Sequence, residues 1–135
     1  RNFYSRHDYE GLPAKAAEEL MQHVRDSFAA LKGRTFGSHQ ISFCDDFSYT
    51  DPVDQSISQG QGIRIIFTDG SRIVFRLSGT GTEGATLRIY LEAYEPDPSR
   101  HHLDAQESLS DLIRIVAEVS QLKERTGRMK PTVIT

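Results

Sequence analysis

The run Arg76-Leu77-Ser78-Gly79-Thr80-Gly81-Thr82-Glu83-Gly84-Ala85-Thr86-Leu87-Arg88 places three glycines and four hydroxyls within the nine residues 78–86. Glycine permits left-handed dihedrals and close backbone approach, successive inward amides form an anion-binding nest, and hydroxyls add further donors. A phosphate suits such a loop. If the flanking segments form a hairpin symmetric about Thr82, Leu77 faces Leu87 and Arg76 faces Arg88. Strand alternation then sets both guanidinium groups on the face opposite the leucines. Two like charges directly opposed repel. A dianion held between them removes the repulsion and accepts bidentate hydrogen bonds from the planar guanidiniums. Glu83 counts the other way, because a carboxylate beside a phosphate is repulsive, and it is expected to point outward. The plainer alternative is a glycine-rich hairpin tip with two solvated arginines.

Other chemistries find less support. The letters Gly79-x-Gly81-x-x-Gly84 match a dinucleotide-binding fingerprint, but that motif needs a helix after the loop and a strand is expected here. A Walker loop is excluded, since no Lys-Ser or Lys-Thr pair follows these glycines. His101-His102 are adjacent, so their side chains diverge, and no ligand at metal spacing supports them; a solvated loop is the expectation. His7, His23 and His39 are scattered. Asp45-Asp46 resembles a hard-cation site only superficially and reads as a strand interruption or bulge. Cys44 has no neighbouring His or Lys run to activate it, and no Ser-His-Asp arrangement is defensible.

The elements that must carry the loop are legible from periodicity. Over residues 13–32, Ala17, Leu20, Met21, Val24, Phe28 and Leu31 recur at three-and-four spacing, which predicts an amphipathic helix with Pro13 in its first turn and Gly33 ending it. The period then falls to two, as Ile41, Phe43, Phe47 and Tyr49 alternate with polar residues through Cys44 and Ser48. Residues 50–62 have loop composition. Residues 63–68 and 71–77 flank Asp69-Gly70, which predicts a hairpin with a two-residue turn. Residues 85–94 form a further strand, with Leu87, Ile89 and Leu91 on one face and Arg88, Tyr90 and Glu92 on the other. A second helix spans 104–126, opened by an Asp104/Glu107 capping box and closed by Gly127, with the stripe Leu109, Leu112, Ile113, Val116 and Val119. The tail from 126 to 135 is expected to lie extended on the surface or on a neighbouring domain. The fold class is α+β: a mostly antiparallel sheet of four or so strands with two amphipathic helices packed on one face.

The 135 residues suit one domain spanning 1–135, with 37% hydrophobic and 26% charged residues and no apolar run long enough for a membrane span. A net charge of −3 argues against nucleic acid as a partner. The single cysteine forms no internal disulfide, and the chain opens at Arg1 without an initiator Met or a signal-peptide pattern. These features point to a cytoplasmic, reducing origin and to a piece of a longer protein.

The string RLSGTGTEGATLRIY resembles the phosphate-binding loop of the phosphoglucomutases, in the α-D-phosphohexomutase superfamily. The opening RNFYSRHDYE, the segment DPVDQSIS, the hairpin DGSRIVFRLSGTG, and the closing SQLKERTGR and PTVIT resemble the same family's C-terminal domain, so the likeness covers essentially the whole chain. It implies a TBP-like fourth domain of an enzyme that interconverts glucose 1-phosphate and glucose 6-phosphate through glucose 1,6-bisphosphate. That domain would bind the phosphate that is not being transferred, with Arg76, Ser78, Gly79, Thr80, Gly81 and Arg88 as the contacts. Thr82 and Glu83 fall where the family loop varies. The catalytic phosphoserine loop, the Mg2+ loop and the sugar-recognition loop belong to the other three domains, so no catalytic or metal-binding residue is expected here and the chain alone should be inactive. The rival reading is a non-catalytic relative serving as an interaction or scaffolding module, which has no need of Arg76, Ser78, Thr80 and Arg88 together.

Overall fold

The computed structural model describes residues 1–50, 57–81 and 84–135, with side chains except at 48–50, 57–61, 80 and 81. The elements in chain order are β1 (Asn2–Leu12), α1 (Ala14–Asp26), α2 (Phe28–Leu31), β2 (Thr35–Phe36), β3 (His39–Thr50), β4 (Ile57–Phe67), β5 (Arg72–Gly81), β6 (Gly84–Tyr94), a 3-10 turn (Pro98–Arg100), α3 (Ala105–Ser108), α4 (Ser110–Ser120), α5 (Leu122–Thr126) and β7 (Val133–Ile134). The described strands form one antiparallel sheet in the order β2-β3-β4-β5-β6-β1-β7. The α+β architecture with helices on one face is as expected, but the strand count is not. The first strand is absent from the periodicity reading because its inward row, Phe3, Ser5, His7 and Tyr9, is half polar.

Those inward polar groups are satisfied in a chain. His7 Nε2 pairs with Gln106 Oε1 at 2.9 Å, Gln106 Nε2 donates to Ser5 Oγ at 2.8 Å, and Ser5 Oγ donates to the Thr135 carbonyl at 2.9 Å. The end of the tail therefore lies extended along β1. Arg6 and Thr135 exchange backbone hydrogen bonds, and the Thr132 amide donates to the Asp8 carbonyl at 2.7 Å.

The core lies between the helices and one sheet face. Ala17, Leu20, Met21 and Val24 of α1 and Leu112, Ile115, Val116 and Val119 of α4 are buried there against Ile63, Ile65, Phe75, Leu87 and Ile89. Both predicted helices are broken. Ser27 separates α1 from α2, its hydroxyl donating back to the His23 carbonyl at 2.8 Å, a bond that competes with regular helix. Gln121 takes φ 55° between α4 and α5, and Leu109 separates α3 from α4. Asp104 caps α3 by accepting from the Gln106 amide, and Gly127 ends α5 at φ 76°.

Three further expectations are corrected. Strand β4 begins at Ile57, and Ile57, Ser58 and Gly62 pair with β3 across a register shift, because the ladder overrides the polar composition; the remainder, 51–56, lies outside the described residues. The β4–β5 hairpin forms at Asp69-Gly70, but Gly70 alone turns to positive φ, at 90°. Its amide bonds to the Phe67 carbonyl, and the Phe67 amide bonds to the Ser71 carbonyl, which is a three-residue loop with a glycine bulge. Finally, Asp45 and Asp46 interrupt nothing. They pair in register with Arg64 and Ile63, and the ladder shifts lie on either side of them. The shift after Ile41 turns Phe43 outward, 37% exposed, and Cys44 inward opposite Ile65.

Candidate functional site

The face of the sheet without helices carries the arginines. In the β5–β6 ladder Arg76 stands opposite Arg88, Leu77 opposite Leu87 and Ser78 opposite Thr86. Both leucines are in the core, so both guanidinium groups emerge on the open face, as the symmetric hairpin requires. The symmetry holds up to Ser78. A shift between Ser78 and Gly81 then pairs Gly81 with Gly84.

That shift is built from glycine. Gly79 adopts φ 67° and Gly84 φ 89°, in the region that side chains disfavour. Gly84 is further constrained by crowding, because a Cβ there would lie 2.8 Å from the Leu12 carbonyl oxygen. The close approach comes from β1, whose pairing with β6 slips between Tyr9 and Leu12. The base of the loop is thus held by backbone packing against β1. Thr82 and Glu83, the latter expected to point outward, lie outside the described residues.

The arginine pair belongs to a row that crosses the sheet: Phe47, Gly62, Arg76, Arg88 and Asp8 are successive ladder partners. The tip of the Phe47 ring covers Gly62, where a Cβ would come within 2.6 Å of Cζ. The row behind it runs Asp45, Arg64, Val74, Tyr90 and Arg6. Asp45 accepts from Arg64 Nε at 2.9 Å and from Nη2 at 2.6 Å, and this pairing raises the Arg64 pKa. Arg6 and Asp8 were missed by motif reading. The visible trace was the alternation of Tyr4, Arg6, Asp8 and Glu10 with Phe3, Ser5, His7 and Tyr9.

Asp8 is 4% exposed. Arg6 Nη2 donates to its Oδ2 at 3.0 Å, and Arg6 Nε sits 2.9 Å from Oδ1. Arg88 Nε approaches Oδ2 to 3.8 Å. The open face beside the loop therefore combines three guanidiniums with one buried carboxylate, an arrangement suited to an anion.

His7, His39 and His101 have structural partners, His7 through Gln106 as above. His39 sits 3.3 Å from both Asp69 and Asp111, tying the hairpin turn to α4, and His101 Nε2 lies 2.7 Å from the Glu95 carbonyl oxygen. Among the described residues no group of three or more His, Cys, Asp or Glu side chains is arranged to hold a metal, and no helix is long and apolar enough to cross a membrane.

Comparison with known proteins is consistent over the whole chain. Residues 1–132 match the family model for the Phosphoglucomutase-1 C-terminal domain. Phosphoglucomutase 1, chloroplastic, from Marchantia polymorpha is 55% identical over all of the chain and 21% of its own length. Phosphoglucomutase-1 from Homo sapiens is 51% identical over all of the chain and 25% of its own length. Among solved structures, the open form of the exocytosis-sensitive phosphoprotein pp63/parafusin, a phosphoglucomutase from Paramecium, is similar with a TM-score of 0.80 and 42% identity, across 100% of the chain and 23% of that structure. The chain spans between about a fifth and a quarter of the relatives it matches.

Proposed function

The chain belongs to the phosphoglucomutase C-terminal domain family, and from that premise we propose that residues 1–135 are the phosphate-recognising fourth domain of an enzyme that interconverts glucose 1-phosphate and glucose 6-phosphate through glucose 1,6-bisphosphate. One observation carries the assignment: Arg76 and Arg88 stand directly opposed beneath a loop whose glycines bend its backbone. Opposed cations are unfavourable in an empty site and favourable around a dianion. Arg76 and Arg88 supply planar bidentate donors to the phosphate that is not being transferred. Ser78 and Thr80 contribute hydroxyls, and Gly79 and Gly81 contribute amides.

Neutralising the distal phosphate lets the other three domains align the reacting oxygen, since positioning and electrostatics supply most of the catalysis in phosphoryl transfer. Two guanidiniums make a poor site for a divalent cation. The Mg2+ of the reaction, with its power to neutralise phosphoryl charge, is accordingly assigned to the other domains, as is the phosphorylated serine.

Titration of inorganic phosphate and glucose 6-phosphate into the 15N-labelled chain tests this reading. The amides of residues 78–81 and the Nε–H signals of Arg76 and Arg88 are expected to shift, with weak affinity because the sugar-holding domains are missing, and Arg76→Ala or Arg88→Ala should abolish the response. Shifts confined to other regions would refute the assignment.

A further inference from the structure

We propose that Asp8 is a positioning residue for Arg88, an inference that rests on the phosphate reading above. Asp8 lies on the face that no helix covers, yet its side chain is only 6% exposed. It stands directly opposite Arg88 in the β1–β6 ladder, with Oδ2 3.8 Å from Arg88 Nε. That Nε is buried and, among the described residues, has no hydrogen-bond partner. Among the described residues, the Asp8 carboxylate is thus the one that approaches this buried donor as an ion pair.

Asp8 is itself held from two sides. Arg6 grips the carboxylate from the next row, and the tail fixes the backbone through the Thr132 amide and the Val133 pairing. An ion pair on the Nε side restrains the guanidinium and leaves its Nη edge for a second oxyanion. Asp8 also offsets the charge of Arg6.

Positioning and simple electrostatics predict opposite signs. A carboxylate near a phosphate weakens binding through space, so if charge alone mattered, Asp8→Asn would tighten phosphate binding. If Asp8 orients Arg88, the same change loosens it by about tenfold, because the guanidinium must be ordered at the ligand's expense.

The test compares the unaltered chain with Asp8→Asn, following the Arg88 Nε–H by heteronuclear NOE and the affinity for inorganic phosphate by NMR titration. In the unaltered chain without ligand, the Arg88 Nε–H is expected to be as rigid as the strand backbone. In Asp8→Asn it should become mobile while the backbone spectrum stays folded, and the Kd for phosphate should rise about tenfold. Equal or tighter binding by Asp8→Asn overturns this inference and leaves the phosphate reading standing. No response in the unaltered chain overturns both. Should Asp8→Asn fail to fold, the ligand-free unaltered chain decides: a rigid Nε–H supports the proposal and a freely moving one overturns it.

Discussion

The Cys44 thiol lies half-buried on the inner side of β3, where burial and the neighbouring Asp45 carboxylate push its pKa up against a smaller opposing pull from Lys32. The thiolate is the reactive form, so alkylation by iodoacetamide at neutral pH should run severalfold slower than for glutathione and accelerate with rising pH. Mass spectrometry of the time course measures this, and a rate equal to glutathione's would contradict it. Single residues differ in how far sequence reveals them. The Arg76–Arg88 pairing follows from counting outward from one loop, because both partners belong to the same hairpin. Asp8 was not reachable that way. It meets Arg88 only because a strand eighty residues upstream is laid beside β6, and nothing local in either segment encodes that neighbour.

At the scale of elements, the β5–β6 hairpin depends on Gly84 more than on any hydroxyl in the loop. Gly84→Ala combines a left-handed dihedral with a contact against the Leu12 carbonyl, and neither backbone has room to yield. The expected loss is about 2 kcal/mol, read as a fall of roughly 6 °C in Tm by calorimetry; a neutral substitution would mean that β1 does not pack there. The elements also show where periodicity misleads. The apolar stripes of both helices continue through Ser27 and Gln121, so the stripe is legible and the breaks are not, being set by a hydroxyl back-bond and by a single left-handed residue. Asp69-Gly70 marked the hairpin correctly but not its turn, since Asp69 stays at negative φ and the loop takes a third residue. β1 stayed hidden because its inward Ser5 and His7 are balanced by Gln106 and Thr135, partners that become visible only in the assembled sheet.

At the scale of the whole molecule, an overall charge of −3 coexists with one face on which guanidiniums gather beside a loop, so net charge says little about the anions this surface selects. Phosphoryl transfer needs a nucleophile or phosphoserine as well as recognition, and the proposed division of labour leaves those outside residues 1–135. The purified chain should accordingly give no turnover of glucose 1-phosphate in a coupled spectrophotometric assay; sustained turnover would contradict that division. The row from Phe47 to Asp8 has one more consequence. It draws one residue from each of five strands, and a slip of one position in β5, β6 or β1 would turn Arg76, Arg88 or Asp8 inward and send a core side chain into water. Under the proposed reading, a dianion recognises only the chain in which β5, β6 and β1 are in register and lowers the free energy of that state alone. Substrate then acts as a proofreader of folding, rewarding the correct alignment of β1, a strand that it never touches.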